Sequence, residues 1–184
     1  MHSEVRNAVD HYDSRSVAFH WATALLVILQ WLGAHAIDLF PRGPVRVDAR
    51  SVHIAIGVAL LVVVIARLVW RFTHAQRPAL GGPASMRTVA VTMHWMLYGL
   101  VLAVLIVGVL NVAVRGDSIF GLFKIPALDP QNKALRAQVE SIHEWLANLL
   151  LVAAGLHALA ALIHDRLWQR GALARMIPAL RKAR

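Results

Sequence analysis

The chain has 184 residues, of which 58% are hydrophobic, and its mean hydropathy is +0.58. This composition is too apolar for an ordinary soluble domain, and the chain is too long for a single-span membrane anchor. A formal net charge of +9 would suit a nucleic-acid-binding protein, but the charges lie between apolar stretches. We therefore expect a membrane protein with no nucleic-acid partner.

Four stretches along the chain are long and apolar enough to cross a bilayer, which takes about 20 residues. They cover approximately 17–37, 52–70, 89–112 and 142–164. With the short connections between them they use the whole sequence, so we expect a single domain over 1–184. The sequence thus predicts an all-α membrane protein built as a four-helix bundle.

The segments between these stretches differ in charge. Twelve of the nineteen lysines and arginines lie in the N-terminal tail, in the 67–88 region and from Arg166 onward. The other seven lie in 38–52 and 113–141, together with five acidic residues. The positive-inside rule then predicts that both termini are cytoplasmic. We call the end of the bundle that carries the termini the inner end, and the opposite end the outer end.

The 113–141 connection contains a predicted helix start. Asp129 followed by Pro130 is typical of an N-cap and a proline at the first helical position. From there we expect one helix to run unbroken into the fourth apolar stretch.

Histidines inside the apolar stretches are the main functional signal, because a polar side chain within a bilayer needs a reason. His143 and His157 are 14 residues apart, so they share one helix face and lie about 21 Å apart along the axis. His53 begins the second stretch at the outer depth, and His20 begins the first at the inner depth. A hydrogen bond between helices explains a single intramembrane histidine, but pairs at two depths indicate metal ligands.

Two histidines that face each other at one depth of a bundle can hold a flat ring between them. Two such pairs predict two b-type haems with two imidazole ligands each, which suits electron transfer. Because the chain has no cysteine, the haems would be bound non-covalently. A single shared metal ion is the alternative, but positions about 21 Å apart cannot share one ion.

Further polar residues fall near these depths. His94 competes with His20 as the inner ligand, His35 competes with His53 as the outer one, and the pattern alone leaves both choices open. At the inner end, an imidazole beside arginines suits a quinone carbonyl and can relay a proton. The same arginines suit haem propionates or lipid phosphates. The candidates for quinone or propionate contact are His164, Arg67, Arg71, Trp168 and His94.

The sequence resembles the bacterial di-haem cytochrome b-561 family over nearly its full length. The resemblance is carried by FHW at 19–21, HIAIG at 53–57, ARLVWRF at 66–72, HEWLANL at 143–149, GLHALAALIH at 155–164 and ARMIP at 174–178. HEWLANL with the following GLHA is the most specific of these motifs. The resemblance implies a four-helix protein of the bacterial inner membrane. It also implies that His20 and His157 hold one haem, and that His53 and His143 hold the other.

The resemblance also implies an activity. The expected reaction is oxidation of superoxide to oxygen at the periplasmic side, with electrons passing through two haems to ubiquinone, and no catalytic side chain is indicated. The alternative is a quinone-reactive cytochrome b subunit that carries electrons for a separate dehydrogenase, hydrogenase or periplasmic partner, with 113–141 as its docking surface. Basic residues in the outer connections would draw in a small anion. The candidates for this steering are Arg42, Arg46, Arg50, Lys133 and Arg136.

Overall fold

The computed structural model describes residues 12–74, 84–168, 173, 176 and 177, with residues 167 and 168 described as helix only. The elements in chain order are α1 (Ser14–Ile37), α2 (Pro44–Thr73), α3 (Ala84–Arg115), β1 (Ser118–Ile119), β2 (Phe123–Lys124) and α4 (Lys133–Trp168). All four helices are long and apolar enough to cross a membrane. The prediction of a four-helix membrane bundle is therefore confirmed, and each predicted apolar stretch lies within one helix.

The helix ends follow from local chemistry. At the start of α1, the Asp13 carboxylate accepts hydrogen bonds from the Ser16 backbone N–H at 2.9 Å and the Ser16 hydroxyl at 2.7 Å. Gly116 follows α3 with a φ of 71°, a left-handed conformation that glycine adopts most readily. A Cβ there would lie 2.7 Å from the Ala127 backbone nitrogen, so the chain needs glycine at this turn.

The start of α4 differs from the predicted one. The sequence suggested Asp129 as the N-cap, but α4 begins at Lys133, and Asn132 caps it by accepting a hydrogen bond from the Leu135 N–H at 2.9 Å. Asp129 and Pro130 instead belong to a turn in which the Asn132 N–H donates to the Asp129 carbonyl at 3.3 Å. The expectation of one unbroken helix into the fourth apolar stretch holds from Lys133 onward.

The helices pack as two antiparallel hairpins. α1 packs extensively on α2 and α3 on α4, whereas α1 with α4 and α2 with α3 make far fewer contacts. A buried apolar cluster of Leu60, Val64, Val101, Leu105 and Leu150 joins α2, α3 and α4 near mid-depth. The two hairpins therefore pack less closely on each other than the helices within each hairpin do. The paired histidines lie between the hairpins, towards the inner and outer ends.

A short β-hairpin covers the outer end of the bundle. β1 and β2 are antiparallel, with Ser118 opposite Lys124 and Ile119 opposite Phe123. Ser51 of α2 is fully buried beneath this hairpin. Its hydroxyl lies 2.8 Å from the Val47 carbonyl and 3.3 Å from the Ser118 carbonyl, and it accepts from the Phe120 N–H at 2.8 Å. One small polar side chain thus attaches the hairpin to α2.

Candidate functional site

The outer histidine pair joins α2 to α4. The ring centroids of His53 and His143 are 6.4 Å apart, and the ring planes meet at 83°. The Nδ1 atoms of both rings are buried and make no hydrogen bond of normal geometry with a described residue. Gly108 of α3 borders this pair, since a Cβ there would lie 3.0 Å from Cε1 of His143. Glycine therefore keeps the space beside the imidazole open.

The inner histidine pair joins α1 to α4. The ring centroids of His20 and His157 are also 6.4 Å apart, with the planes at 63°. His94 of α3 is the third imidazole at this depth, and its centroid is 5.3 Å from that of His157. The inner end thus gathers three imidazoles, all of them half-buried.

The spacing of the two pairs tests whether they suit a metal held between two imidazoles. The expected centroid separation is twice the sum of the metal–nitrogen bond and the distance from that nitrogen to the centre of its ring. When the bonds are about 2.0–2.1 Å long, as in zinc sites, two rings on opposite sides of one metal therefore have centroids about 6.4 Å apart. Both His53–His143 and His20–His157 have that separation. The His94–His157 separation of 5.3 Å is shorter. His53 with His143, and His20 with His157, could therefore each hold a haem iron between two imidazoles, and the spacing of His20 suits this better than that of His94.

Cationic and aromatic side chains surround the inner pair. The Arg67 guanidinium lies 3.2 Å from Nδ1 of His20 and 5.1 Å from the Tyr98 ring centroid. Arg71, one turn further along α2, lies 5.4 Å from the ring centroids of both Tyr98 and Trp95. Among the described residues, no carboxylate pairs with Arg67. The inner end therefore presents positive charge that suits an acidic group of a bound molecule.

The other histidine and tryptophan candidates lie apart from these pairs. His35 packs on Trp31 with centroids 4.1 Å apart, and its Nδ1 lies 2.9 Å from the Trp31 carbonyl oxygen. The structure therefore does not bring His35 to the outer pair. His164 is half-buried two turns beyond His157 on α4. Trp168 ends α4, and its side chain lies outside the described part of the chain.

A charged cluster closes the outer end beside the hairpin. Asp117 is 7% exposed, and its carboxylate lies 3.3 Å from Arg50 and 3.6 Å from Arg115. Arg115 also pairs with Glu140 at 2.7 Å. Because two arginines balance two carboxylates, the cluster is electrically neutral as a unit. Arg50 is therefore a structural partner of Asp117 as well as a candidate for anion steering.

The remaining steering candidates separate into two groups. Arg46 is held by the connection before α2, where it pairs with Asp38 at 3.3 Å and donates to the Phe40 carbonyl at 2.9 Å. Arg42 is exposed in that connection. Lys133 and Arg136, by contrast, line one outer cavity of about 520 Å³. Its charged lining residues are Arg115, Lys124, Lys133, Arg136 and Asp129.

Comparison with known proteins identifies the family of the chain. Residues 11–179 match the model of the family described as prokaryotic cytochrome b561. The chain belongs to that family. The cytochrome is 31% identical over 173 residues to the probable superoxide oxidase CybB of Yersinia pestis, covering 92% of this chain and 97% of that protein.

Two relatives in Escherichia coli also match over most of their length. Cytochrome b561 homolog 1 is 27% identical over 92% of this chain and 98% of its own. Cytochrome b561 homolog 2 is 30% identical over 93% of each. The resemblance inferred from the motifs is thus confirmed. The protein is a multi-pass membrane cytochrome b of an electron-transfer family, and it carries b-type haem.

Several residues that shape the cytochrome's two sites have no clear signal in the sequence. Gly108 is one of several glycines in the apolar stretches, and only the fold places it against His143. Ser51 precedes His53 by two residues, but its burial depends on a hairpin almost 70 residues away. Arg115 and Lys124 are basic residues of the 113–141 connection, but only the fold shows that both line one cavity.

Proposed function

We propose that this cytochrome oxidises superoxide at its outer end and reduces ubiquinone at its inner end. Two non-covalent b haems would be held by His53 with His143 and by His20 with His157. The observation that carries the proposal is the repeated centroid separation of 6.4 Å in two histidine pairs at different depths of one bundle. When bound, the haems would supply two one-electron redox centres, one at each depth.

The overall reaction balances without a further co-reactant. Two superoxide anions, one ubiquinone and two protons give two molecules of oxygen and one ubiquinol. The protein must therefore collect a small anion at one end, and hold a quinone near a source of protons at the other. Both requirements match the charges of the described residues.

The outer cavity suits anion collection. Besides Arg115, whose charge is balanced within the Asp117 cluster, three basic side chains line it against one acidic one. An excess of one sign in a concave site raises the local concentration of an oppositely charged substrate. Lys133 and Arg136 are exposed at the start of α4, where the positive end of the helix dipole adds to their charge. Arg42, Arg46 and Arg50 contribute to the wider potential, the last two from within ion pairs.

The inner end suits quinone binding. His164 can donate a hydrogen bond to a quinone carbonyl and relay a proton to it. Arg67 and Arg71 can hold a haem propionate or stabilise negative charge that develops on the quinone oxygen. Trp168, at the end of α4, remains a further candidate. With the inner end in the cytoplasm, as the charge distribution predicts, the protons for ubiquinol come from that side.

The first experiment measures haem. The detergent-solubilised protein is expected to show the sharp absorption bands of low-spin b haem when reduced, and a pyridine haemochrome assay is expected to give two protohaems per chain. A colourless protein from cells supplied with iron and haem precursor would refute the proposed cofactors.

The second experiment measures the reaction. Superoxide pulses are expected to reduce the haems rapidly, and added ubiquinone is expected to reoxidise them. In His164→Ala, reduction by superoxide should persist while reoxidation by quinone slows. Quinone reoxidation at the wild-type rate in His164→Ala would remove this residue from the proposed quinone site.

A specific observation also favours the second candidate, a cytochrome b subunit that serves a separate electron donor. The outer hairpin and the chain after it expose large apolar side chains, with Leu122 83%, Phe123 59% and Leu128 71% exposed. Such a patch suits a protein partner. If quinol reduces the haems but superoxide does not, and membranes retain the cytochrome in a larger complex, the subunit function is favoured over the oxidase.

A further inference from the structure

The inner site contains one more imidazole than its two axial positions require. His157 faces His20 at 6.4 Å and His94 at 5.3 Å between ring centroids. The outer site differs, because within the described ranges the only histidine in ring contact with His143 is His53. Among the described residues, a third imidazole therefore accompanies the inner pair and not the outer one.

We propose that His94 is a reserve axial ligand of the inner haem, able to take the place of His20 opposite His157. The inference rests on the proposed haem ligation and adds an alternative ligand to it. Three imidazoles then serve two axial positions, with His20 as the preferred ligand because its spacing already fits.

The distances make the exchange feasible. His94 is about 1 Å too close to His157 for coordination from opposite sides of one metal. A rotation of the imidazole about its side-chain bonds covers such a distance. Removal of the His20 ring vacates space at the depth that His20, His94 and His157 share.

The surroundings of His20 supply a reason for a reserve. An arginine can only donate hydrogen bonds, so Nδ1 of His20 must accept from Arg67 at 3.2 Å, and the neutral ring then carries its proton on Nε2. Metal coordination through Nε2 requires the other tautomer, with the proton on Nδ1. Arg67 therefore competes with a metal for His20 until the guanidinium turns to another acceptor.

The ring of His94 has different surroundings. No described side chain forms a hydrogen bond with its ring, which instead packs edge-on against His157. Its lone pair can thus meet a metal without the displacement of an arginine. His20 thus has the right spacing from His157 but contacts Arg67, whereas His94 lies too close to His157 but has no hydrogen bond from a described arginine.

The test compares ligand removal at the two sites. The variants are His20→Ala, His94→Ala, the double variant of both, and His53→Ala as the matched change at the outer site. Haem per chain is measured by pyridine haemochrome, and the ligation of each ferric haem by low-temperature electron paramagnetic resonance.

We expect His20→Ala to keep two haems, both low-spin, with an altered signal from the inner one. The double variant should lose the inner haem or leave it high-spin, so low-spin haem falls from two per chain to one. His53→Ala should cause the same twofold loss at the outer site in a single step. His94→Ala alone should leave both haems low-spin, which separates a reserve ligand from a primary one.

Loss of the inner low-spin signal in His20→Ala, as complete as the outer loss in His53→Ala, would overturn the inference. The outer haem signal reports whether each inner variant has folded. If His20→Ala does not accumulate, His20→Gln is measured in its place, and the same two outcomes decide. Wild-type protein without haem would instead refute the proposed function, so the two failures are distinguishable.

Discussion

The inner and outer histidine pairs have the same ring separation but different surroundings. The outer pair lies beneath a hairpin that Ser51 attaches to α2, beside a neutral cluster centred on Asp117. The inner pair lies among arginines and aromatic rings, with His94 as an additional imidazole. Equal spacing is therefore found at one end within a hydrogen-bonded and ion-paired framework, and at the other among arginines, aromatic rings and a third imidazole.

This difference teaches how one bundle can serve two kinds of substrate. Under the proposed function, the outer site meets a small anion from water and needs a fixed, partly covered metal site with positive charge nearby. The inner site must accept a quinone headgroup and protons. There, a cation that pairs with no described carboxylate, Arg67, and a third imidazole, His94, suit a changing set of acceptors. Variants that affect one end only can therefore test the comparison.

The largest expected effect comes from Gly108→Val. A Cβ at this position would lie 3.0 Å from Cε1 and 3.5 Å from Nδ1 of His143, and a branched side chain adds two methyl groups to that contact. We expect His143 to be displaced, so that haem per chain falls from two towards one while the inner haem stays low-spin. Haemochrome content and electron paramagnetic resonance measure this result.

Gly99→Val is the matched control on the same helix, because a Cβ at Gly99 meets nothing within 4 Å. It should keep the wild-type haem content. Two intact low-spin haems in Gly108→Val would show that Gly108 does not shape the outer site.

The next effect is expected from Ser51→Ala. This change removes the acceptor of the Phe120 N–H and the contact with the Ser118 carbonyl. A buried group that loses its hydrogen-bond partner costs about 1–3 kcal/mol of stability. Thermal unfolding followed by haem absorbance should show a lower transition, with the outer haem released first. Ser141→Ala, at an exposed position of α4, should not change the transition, and equal behaviour of the two variants would contradict the role of Ser51.

Gly108 and Ser51 also show what could not be predicted from the sequence. The helices and the depths of the histidines could be predicted, because apolar length and helical spacing are local properties of the chain, whereas the choice of partners came from the resemblance to the family. His94 against His20 could not be decided from spacing, since both residues lie at one depth. Gly108 and Ser51 depend on contacts between distant segments, which no periodicity encodes. The predicted N-cap at Asp129 was wrong because Asn132, three residues later, offers an equally good cap.

A smaller effect is expected from Lys133→Gln combined with Arg136→Gln. The double change removes two of the three positive charges that line the outer cavity apart from Arg115, which is balanced by its ion pairs. We expect the rate of haem reduction by superoxide at low ionic strength to fall about 3- to 10-fold, with a smaller difference in high salt. Stopped-flow absorbance measures this rate, while reduction by quinol at the inner end should be unchanged.

Arg42→Gln serves as the control for charge outside the cavity, because Arg42 is exposed and does not line it. An equal loss of rate in this variant would show that the general surface potential, rather than the cavity, attracts the anion.

The smallest effect is expected at Asp13, which joins the inner ends of α1 and α2. Burial would raise the pKa of its carboxyl, but hydrogen bonds from Ser16 and from the Trp70 indole N–H at 3.0 Å outweigh it and lower the pKa. Asp13→Ala should lower the free energy of unfolding by about 1 kcal/mol. It should also release the inner haem before the outer one, whereas Ser51→Ala should release the outer haem first. The stabilisation by Asp13 depends on pH. Because the pKa of its carboxyl is lower in the folded state, the stabilisation is complete above the ordinary aspartate pKa of about 3.9. It is lost as the pH falls through the lower pKa of the folded protein. The difference in stability between wild type and Asp13→Ala should therefore be constant from about pH 7 to 5 and shrink below about pH 4. A difference that grows on acidification would show that the carboxylate does not stabilise this end of the bundle.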